Sequence, residues 1–456
     1  MTARTSLCLA LAAACAIASP RIARAGGDPS IKFEKYQLPN GVEVILAPDK
    51  AVPLVAVNIW YHVGSGDEVH GKSGFAHLFE HMMFQGSKNV GSDKHFEILR
   101  KIGAEEINGT TNSDRTNYYE VVPANQLETA LWLESDRMSH LLDILDKKEL
   151  DNQIDVVRNE RRQRYDNVPY AAARFAMHAA LYPEGHPYRY LTIGKHEDLV
   201  SASIDDVKAF FRTWYVPSNS TIAIVGDFEP AKVKPLVNKW FGSFPKSTKP
   251  TVVDVPAPTT SARKVEVSDG FAKLRQVTYA WHSPAVYAPE DAELGIAAEV
   301  LGAEGSGRLY KALVYDRSLA QSVRVGQMGT QFSGVFAITV TLRSDADDAE
   351  VGKLVTAELD RMAREPISEP ERARVVARTE AAMIFSLEGL NARANTLQAY
   401  NHFLGDPGRL SWDLDRYRHA TPETIRMAVS RYLHVQHMVT ITTKPGAASA
   451  AKGAGK

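Results

Sequence analysis

Cysteine is almost absent from this sequence. Cys8 and Cys15 are the only two among 456 residues, and both lie close to the N-terminus. A chain of this length buries enough surface to fold without disulfides. The remainder of the chain therefore has no thiolate to bind a metal and no cysteine nucleophile.

An excess of charge of one sign and long apolar runs are also missing. The 53 basic and 54 acidic residues leave a formal net charge of −1, which does not favour a nucleic-acid partner. Beyond the N-terminal segment, no apolar run reaches the roughly 18 residues that span a membrane. With 44% hydrophobic and 23% charged residues, the composition predicts a globular protein with neither a membrane span nor a nucleic-acid partner.

The first 25 residues predict a secretory signal peptide. Arg4 precedes a short apolar run, and Ala23-Arg24-Ala25 has the A-x-A pattern of a cleavage site. We therefore expect a periplasmic or secreted protein whose mature N-terminus is Gly26. The alternatives are a segment retained as a first strand or core helix, an earlier cut after Ala16-Ile17-Ala18, or a lipoprotein cut at Cys15.

The rest of the chain divides into two parts of similar length. Residues 246–262 are rich in Pro, Ser and Thr, which is typical of a linker. This composition predicts an N-terminal domain over 30–245, a C-terminal domain over 263–445 and a flexible tail over 446–456. Strand-like and helix-like periods occur in both parts, and Asn40-Gly41 marks a β-hairpin, so the predicted fold class is α+β.

The two parts end in a similar way. Residues 203–227 and 421–445 each begin with a Ser or Thr that caps a predicted helix, and each continues into a β-rich strand. This repetition favours a duplicated α+β domain. Two unrelated domains are the alternative, because a capped helix before a strand is a common arrangement.

One group of residues carries chemistry. His77, Glu80 and His81 fall in a helical stretch, where about 100° per residue places all three on one face. Two imidazoles at this spacing are typical of a metal site, and a carboxylate beside them is placed to take a proton from water. The flanking residues are apolar, so the helix should be buried, and a metal would offset the cost of burying these polar groups. The alternative is a pair of hydrogen-bonded core histidines with a salt-bridged glutamate.

A third ligand is expected, since a hydrolytic zinc site usually has three from the protein. The helix predicted after residue 147 carries an apolar stripe, and Glu160 falls on the same side as Val157. Glu160 is therefore a candidate ligand. A surface salt bridge to the adjacent arginines is the alternative.

These residues and their flanks resemble a known family. The motif His77-x-x-Glu80-His81, Glu160 within VVRNERRQ, and the stretches FAHLFEHMMFQGS, INGTTNSDRTNYYEVV and YPEGHPYRYLTIG are similar to the inverzincins. These are the pitrilysin/insulinase (M16) metallopeptidases. The resemblance implies one zinc ion per chain, bound by His77, His81 and Glu160, with Glu80 as the general base.

The same resemblance has consequences for the fold and for substrate binding. It implies two homologous α/β sandwich halves that face each other as a clamshell, the N-terminal one being catalytic. It also implies an edge strand at Asn108 and Gly109, to which an extended peptide adds. The activity it implies is that of an exported zinc endopeptidase acting on peptides or unfolded polypeptides. A catalytically weak or silent subunit and a peptide-binding protein are the alternatives.

The C-terminal half departs from the family pattern. Active single-chain members have an Arg and a Tyr seven residues apart that hold the substrate, and here Val314 and Gln321 occupy those places. This departure predicts a heterodimer with a second M16-like subunit that supplies the Arg and the Tyr. A homodimer that uses Arg308 or Arg317 instead is the alternative.

Overall fold

The computed structural model describes residues 28–251, 255 and 261–446. The predicted signal peptide with both cysteines, part of the predicted linker and nearly all of the predicted tail lie outside these residues. The strands are β1 Glu34–Gln37, β2 Glu43–Pro48, β3 Leu54–Tyr61, β4 Glu105–Thr111, β5 Thr116–Pro123, β6 Ser220–Gly226, β7 Arg263–Asp269, β8 Gln276–Ser283, β9 Ala320–Gly329, β10 Gly334–Leu342 and β11 Val439–Pro445. The helices are α1 Phe75–Met82, α2 Lys94–Lys101, α3 Leu127–His140, α4 Lys147–Arg161, α5 Ala171–Leu181, α6 His196–Val200, α7 Ile204–Trp214, α8 Pro230–Phe241, α9 Asp291–Gly302, α10 Arg308–Tyr310, α11 Asp348–Arg364, α12 Glu369–Ser386, α13 Leu390–Leu404, α14 Leu410–His419 and α15 Pro422–Tyr432.

The strands form two sheets with the same topology. The N-terminal sheet has the order β1-β2-β6-β3-β5-β4, and the C-terminal sheet has the order β7-β11-β8-β10-β9. Apart from the additional β1, the two orders correspond strand by strand. Strands β2 and β6 pair in parallel in the N-terminal sheet, as do β7 and β11 in the C-terminal sheet. All the other strand pairs are antiparallel. The prediction of two homologous α/β halves is confirmed.

Local sequence signals begin and end several of these elements. Gly41 adopts a φ of +105° in the β1–β2 turn, which favours glycine because it has no Cβ. Ser203 caps α7 and Thr421 caps α15, each through a hydrogen bond from a backbone N–H three residues later. These two helices precede β6 and β11, which occupy equivalent positions in the two sheets. The repeated segments of the sequence therefore fold alike.

Each half contributes one helix to the other half's sheet. Helix α5 packs on β7, β8 and β11, and helix α13 packs on β3, β5 and β6. Apolar side chains on both helices, such as Met177 and Leu397, are buried at these contacts. Polar bonds join α13 to the N-terminal sheet as well, since Asn58 Nδ2 donates to Asn391 Oδ1 at 2.8 Å. The two halves are consequently held together by buried contacts.

The N-terminal half places its main core between the sheet and helices α1, α3, α4, α7 and α8. Helix α1 lies against α4 and the β4–β5 edge of the sheet, which is where the predicted site residues are carried. Among the described residues, no helix combines the length and the apolar character needed to cross a membrane.

Candidate metal centre

Helix α1 begins at an unusual N-terminus. Gly74 precedes it with a φ of +91°, and the Glu68 carboxylate accepts hydrogen bonds from the backbone N–H groups of Gly74 (2.9 Å) and Ala76 (2.8 Å). Burial raises the pKa of Glu68 to about 8. Glu68 thus satisfies two N–H groups that have no partner inside the helix. Our sequence analysis missed this residue, although an acid shortly before a short helix is a recognisable signal.

The sides of α1 have different environments. Phe75, Leu78, Phe79 and Met82 are buried in the N-terminal core, and the predicted burial of this helix is thus confirmed. The remaining side bears His77, Glu80 and His81, whose side chains are partly buried and line a cleft.

Helix α4 brings Glu160 to the two histidines. The Nε2 atoms of His77 and His81 lie 3.3 Å apart, and Glu160 Oε2 lies 3.6 Å from the first and 3.2 Å from the second. Three ligands at the roughly 2.0–2.2 Å bond lengths of tetrahedral zinc are separated from one another by about 3.4 Å. The ligand atoms of these residues therefore have the chemistry and the spacing that a zinc ion requires.

The protonation of these residues suits a cation. Burial, followed by the charge of His81, lowers the pKa of His77 to about 4, so its imidazole is neutral at pH 7 and retains a lone pair. A hydrogen bond from His81 lowers the pKa of Glu160, which keeps it a carboxylate. The Oε1 atom of Glu160 is 2.8 Å from Arg164 Nη1. Glu160 therefore contacts both the histidines and an arginine, but that arginine is Arg164 and not the adjacent Arg161, whose Nε lies 3.3 Å from Asp166 Oδ1, or Arg162, which bonds to Asn159.

Glu80 has different partners from Glu160. Its Oε2 atom accepts a hydrogen bond from Thr111 Oγ1 at 2.6 Å, and burial raises its pKa. It is not one of the three groups whose ligand atoms converge. Thr111 was missed by our sequence analysis, although it lies two residues beyond Gly109 in the segment that resembles the family.

The edge strand β4 forms the wall of the cleft opposite α4. Asn108 and Gly109 pair with Tyr119 and Tyr118 of β5, and β4 has no other neighbour in the sheet. A Cβ at Gly109 would lie 3.1 Å from Glu80 Cγ and 3.1 Å from Tyr118 Cδ1, so glycine permits the strand to approach α1 closely. A cleft of about 350 Å³ is lined by all six predicted site residues, His77, Glu80, His81, Asn108, Gly109 and Glu160.

The positions that lack the family's Arg and Tyr are in the C-terminal half. Val314 is in a π-helical turn, Lys311–Asp316, and packs against the C-terminal core, whereas Gln321 is exposed on β9. Arg308 is held by Glu371 at 2.7 Å and by Glu358 at 3.0 Å. Neither Val314 nor Gln321 can supply a cation, and Arg308 is already paired with two carboxylates.

Comparisons with known proteins find similarity to proteins named as proteases. The chain is 28% identical over 373 residues to the zinc protease PqqE of Helicobacter pylori, covering 81% of this chain and 83% of that protein. A crystal structure of a protease from Helicobacter pylori superposes with a TM-score of 0.85 at 26% identity, covering 91% of this chain and all of that one. The periplasmic protease PqqL of Escherichia coli shares the fold with a TM-score of 0.76 at 18% identity, covering 93% of this chain and 49% of that one.

Two family descriptions match adjacent parts of the chain. Residues 43–191 match "Insulinase (Peptidase family M16)", and residues 201–379 match "Peptidase M16 inactive domain". The first covers α1, α4 and β4, which carry the candidate metal centre, and the second covers the positions of Val314 and Gln321. The resemblance seen in the sequence is thus supported at the level of the family: the chain belongs to family M16, the insulinase family of peptidases.

Proposed function

We propose that this protein is a zinc metalloendopeptidase. The observation that carries the proposal is the convergence of His77, His81 and Glu160 at mutual distances of 3.2–3.6 Å, with Glu80 beside them on the same helix. The name of the Helicobacter pylori relative, a zinc protease, supports the same metal and reaction. His77, His81 and Glu160 would hold one zinc ion per chain.

The chain's own residues would then divide the work. When bound, zinc supplies Lewis acidity that polarises a carbonyl oxygen and makes water more acidic. Glu80 is the general base that accepts the proton of the attacking water and later delivers it to the leaving amine. The hydrogen bond from Thr111 orients the Glu80 carboxylate, and Arg164 orients Glu160.

The substrate would bind as an extended segment along β4. The outer edge of β4 is unpaired in the sheet, and main-chain hydrogen bonding to such an edge is a general way to bind peptides. Asn108 and Gly109 lie where that added strand would pass Glu80. This mode selects extended chains, so the proposed substrates are short or unfolded polypeptides.

A peptide-cleavage assay tests the proposed function. The purified protein should cleave a mixture of unstructured peptides, a metal chelator should stop cleavage, and added zinc should restore it. Glu80→Gln should retain zinc and lose at least about 10²-fold in turnover, as expected on removing a general base. Glu365→Gln, at an exposed position after α11, is the matched control and should behave as the wild type. Cleavage that survives both the chelator and Glu80→Gln would refute the proposal.

We also propose that the active protein is a heterodimer with a second M16-like subunit. Val314 and Gln321 supply no cation, Arg308 is paired with two glutamates, and loss of one donor to a transition-state oxyanion typically costs about 10²–10³-fold in rate. The match to half of the longer Escherichia coli chain supports an assembly of two such units. A homodimer and a catalytically silent, peptide-binding subunit are the alternatives.

The activity of the isolated chain decides among these assemblies. We expect weak cleavage by the purified chain and a large increase when the co-purifying subunit is added. Full activity without a second subunit would exclude the heterodimer, and binding of peptide without cleavage in either state would favour the silent subunit.

The proposed site of action is the periplasm or the exterior of the cell. The proposal rests on Arg4, the apolar run and Ala23-Arg24-Ala25, all of which lie outside the described residues. Intact-mass analysis of the exported protein should give an N-terminus at Gly26. A mass that includes Met1, or a lipid on Cys15, would contradict it.

A further inference from the structure

A second cavity lies beside the candidate metal centre, between the two halves. It has a volume of about 470 Å³. One side is formed by the turn after α4 and the start of α5, and the other by β8, β9 and β10 of the C-terminal sheet. We call it the arginine pocket, after three of its lining residues, Arg164, Arg174 and Arg324.

The charged side chains that line this pocket are all arginines. Its lining contains the three arginines and no aspartate or glutamate. Arg174 lies over the ring of Tyr165, 5.5 Å from its centre, and its side chain is exposed. Helix α5 begins at Ala171 in the lining, but the Asp269 carboxylate accepts a hydrogen bond from the Tyr170 N–H at that N-terminus (2.6 Å), so the positive potential of the pocket comes from the arginines alone.

Arg324 is the clearest sign that the pocket receives a ligand. It is exposed on β9, opposite Thr339 of β10, and no carboxylate among the described residues pairs with it. Most other arginines in this half are paired, as Arg308, Arg317 and Arg372 are with glutamates. An unpaired guanidinium at the mouth of a cavity is a ready donor for an anion.

Apolar side chains also line the pocket. Met177 of α5 and Ala337 of β10 are buried there, whereas Met328 of β9 is half exposed. A ligand that suits both regions has an aliphatic stem and an anionic end. Carboxylates on a peptide have this form, and the planar guanidinium group binds them through paired hydrogen bonds.

The pocket adjoins the candidate metal centre. Arg164 lines both cavities, and Arg164 Nη1 lies 2.8 Å from Glu160 Oε1. A peptide that leaves the metal centre past Arg164 therefore comes next to Arg174 of α5 and Arg324 of the C-terminal half.

We propose that the arginine pocket binds a carboxylate of the peptide substrate and so makes the protein selective for acidic peptides. The carboxylate is that of an aspartate or glutamate side chain or that of the peptide's C-terminus. This inference rests on the proposed function, because it assigns a substrate class to the same cleft.

The test uses four versions of one fluorescent peptide. They carry an internal Glu or an internal Gln, each with a free or an amidated C-terminus. Both cleavage and equilibrium binding are measured, on the purified protein together with any co-purifying subunit. We expect the carboxylate-bearing peptides to be favoured about tenfold over the neutral one, which corresponds to one charge-assisted hydrogen bond. The pair that shows the difference identifies the source of the carboxylate.

Substitutions of the pocket arginines test whether the carboxylate preference depends on the pocket. Arg324→Gln and Arg174→Gln should each reduce the ratio between acidic and neutral peptides toward one. Arg212→Gln, at an exposed position of α7, is the matched control and should leave both the ratio and the rates unchanged.

The outcomes separate this inference from the proposed function. Cleavage with no carboxylate preference, or a preference that persists in both pocket variants, would overturn the pocket and leave the peptidase. Binding that prefers the acidic peptide and depends on Arg324, without any cleavage, would support the pocket and overturn the peptidase.

Discussion

Glu80 and Glu160 are carboxylates in the same cleft with different environments. Glu160 shares contacts with two imidazoles and with Arg164, whereas Glu80 is bonded to the Thr111 hydroxyl. Two identical functional groups therefore have different neighbours. In the proposed function, Glu160 is a zinc ligand and Glu80 is the general base.

This difference predicts the metal content of single variants. Glu160→Gln should weaken zinc binding by more than the roughly 10–100-fold that changes outside the ligand shell cost, because the amide replaces an anionic ligand. Zinc per chain, measured by elemental analysis after dialysis, should fall far below that of the wild type and of the control Glu365→Gln, which changes an exposed glutamate. Full zinc retention in Glu160→Gln would remove Glu160 from the ligand set.

A second cluster of titratable residues is buried in the N-terminal core. His95, Glu120 and Glu134 come within reach of one another, but Arg137 forms a two-pronged ion pair with Glu134. The Arg137 guanidinium also lies 4.4 Å from the centre of the Tyr118 ring. Arg137 already neutralises Glu134, so this cluster is a structural ion pair and not a second metal centre.

Burial and the neighbouring Glu134 hold the pKa of Glu120 well above its usual range. The folded state therefore takes up a proton here, and the stability of the wild type falls as pH rises above the pKa of the unfolded chain, about 4.3. Glu120→Gln removes the part of the pH dependence of stability that comes from this residue. The free energy of unfolding of the variant should stay within about 1 kcal/mol of that of the wild type near pH 4. Toward pH 8 it should become increasingly larger than that of the wild type.

Two comparisons check this prediction in urea unfolding. Glu365→Gln changes an exposed glutamate and should match the wild type at every pH. Arg137→Met should lose about 3–5 kcal/mol, because Glu134 is left as an unpaired buried charge. A Glu120→Gln curve parallel to that of the wild type would show that Glu120 is ionised in the folded protein.

At the scale of single elements, the edge strand β4 depends on one glycine. The nearest atoms to a Cβ at Gly109 belong to Glu80, Phe84 and Tyr118, all at 3.1 Å. These contacts are tighter than ordinary packing, so a side chain here would separate the strand from α1. The strand proposed to bind substrate and the helix that bears the proposed base would then move apart.

Gly109→Ala should accordingly reduce kcat/KM by about tenfold or more, since sub-ångström misplacement of catalytic groups is costly. Zinc content should be unchanged, because the ligands come from α1 and α4. The matched control is Gly326→Ala on β9, the equivalent edge strand of the other half, where a Cβ meets no atom within 4 Å. Equal activity of both variants would mean that the close approach of β4 has no role in catalysis.

At the scale of the whole molecule, the exchange of α5 and α13 makes the two halves interdependent. This interface contains a pair of stacked histidines. His62 of the N-terminal half stacks on His402 of α13, with their Nδ1 atoms 2.6 Å apart and His62 Nε2 2.9 Å from Thr221 Oγ1. Burial and the charges of Lys249 and Lys35 lower the pKa of His62 to about 3.

Burial and the neighbouring His62 also lower the pKa of His402 well below its usual range. Both residues are therefore neutral when folded and protonate in the unfolded chain near pH 6.5. The stability that they contribute is present above this pH and is lost as the pH falls. Between pH 7 and pH 5 the loss should be roughly 1–2 kcal/mol per histidine.

Urea unfolding at pH 5, 6 and 7 measures this loss. His402→Gln should make the free energy of unfolding less dependent on pH than it is in the wild type. His437→Gln, at an exposed position, should not change the dependence. Identical pH dependence in all three proteins would show that the histidine pair does not titrate with unfolding.

The sequence by itself determined what depends on neighbours along the chain. The shared side of α1 that bears His77, Glu80 and His81 follows from helical geometry over five residues. The turn at Gly41 and the caps at Ser203 and Thr421 are equally local. The matching segments before β6 and β11 revealed the duplication, because the same local signals recur in the same order.

Only the tertiary structure decided what depends on contacts between distant segments. Periodicity left Glu160 open between a ligand and a salt bridge, and its position on α4 shows contacts of both kinds. The exchange of α5 and α13 and the shared cavity of Arg164 and Arg324 were not predicted from the sequence. Such contacts join residues that are far apart along the chain, and a local pattern specifies which face of an element is apolar but not which surface covers it.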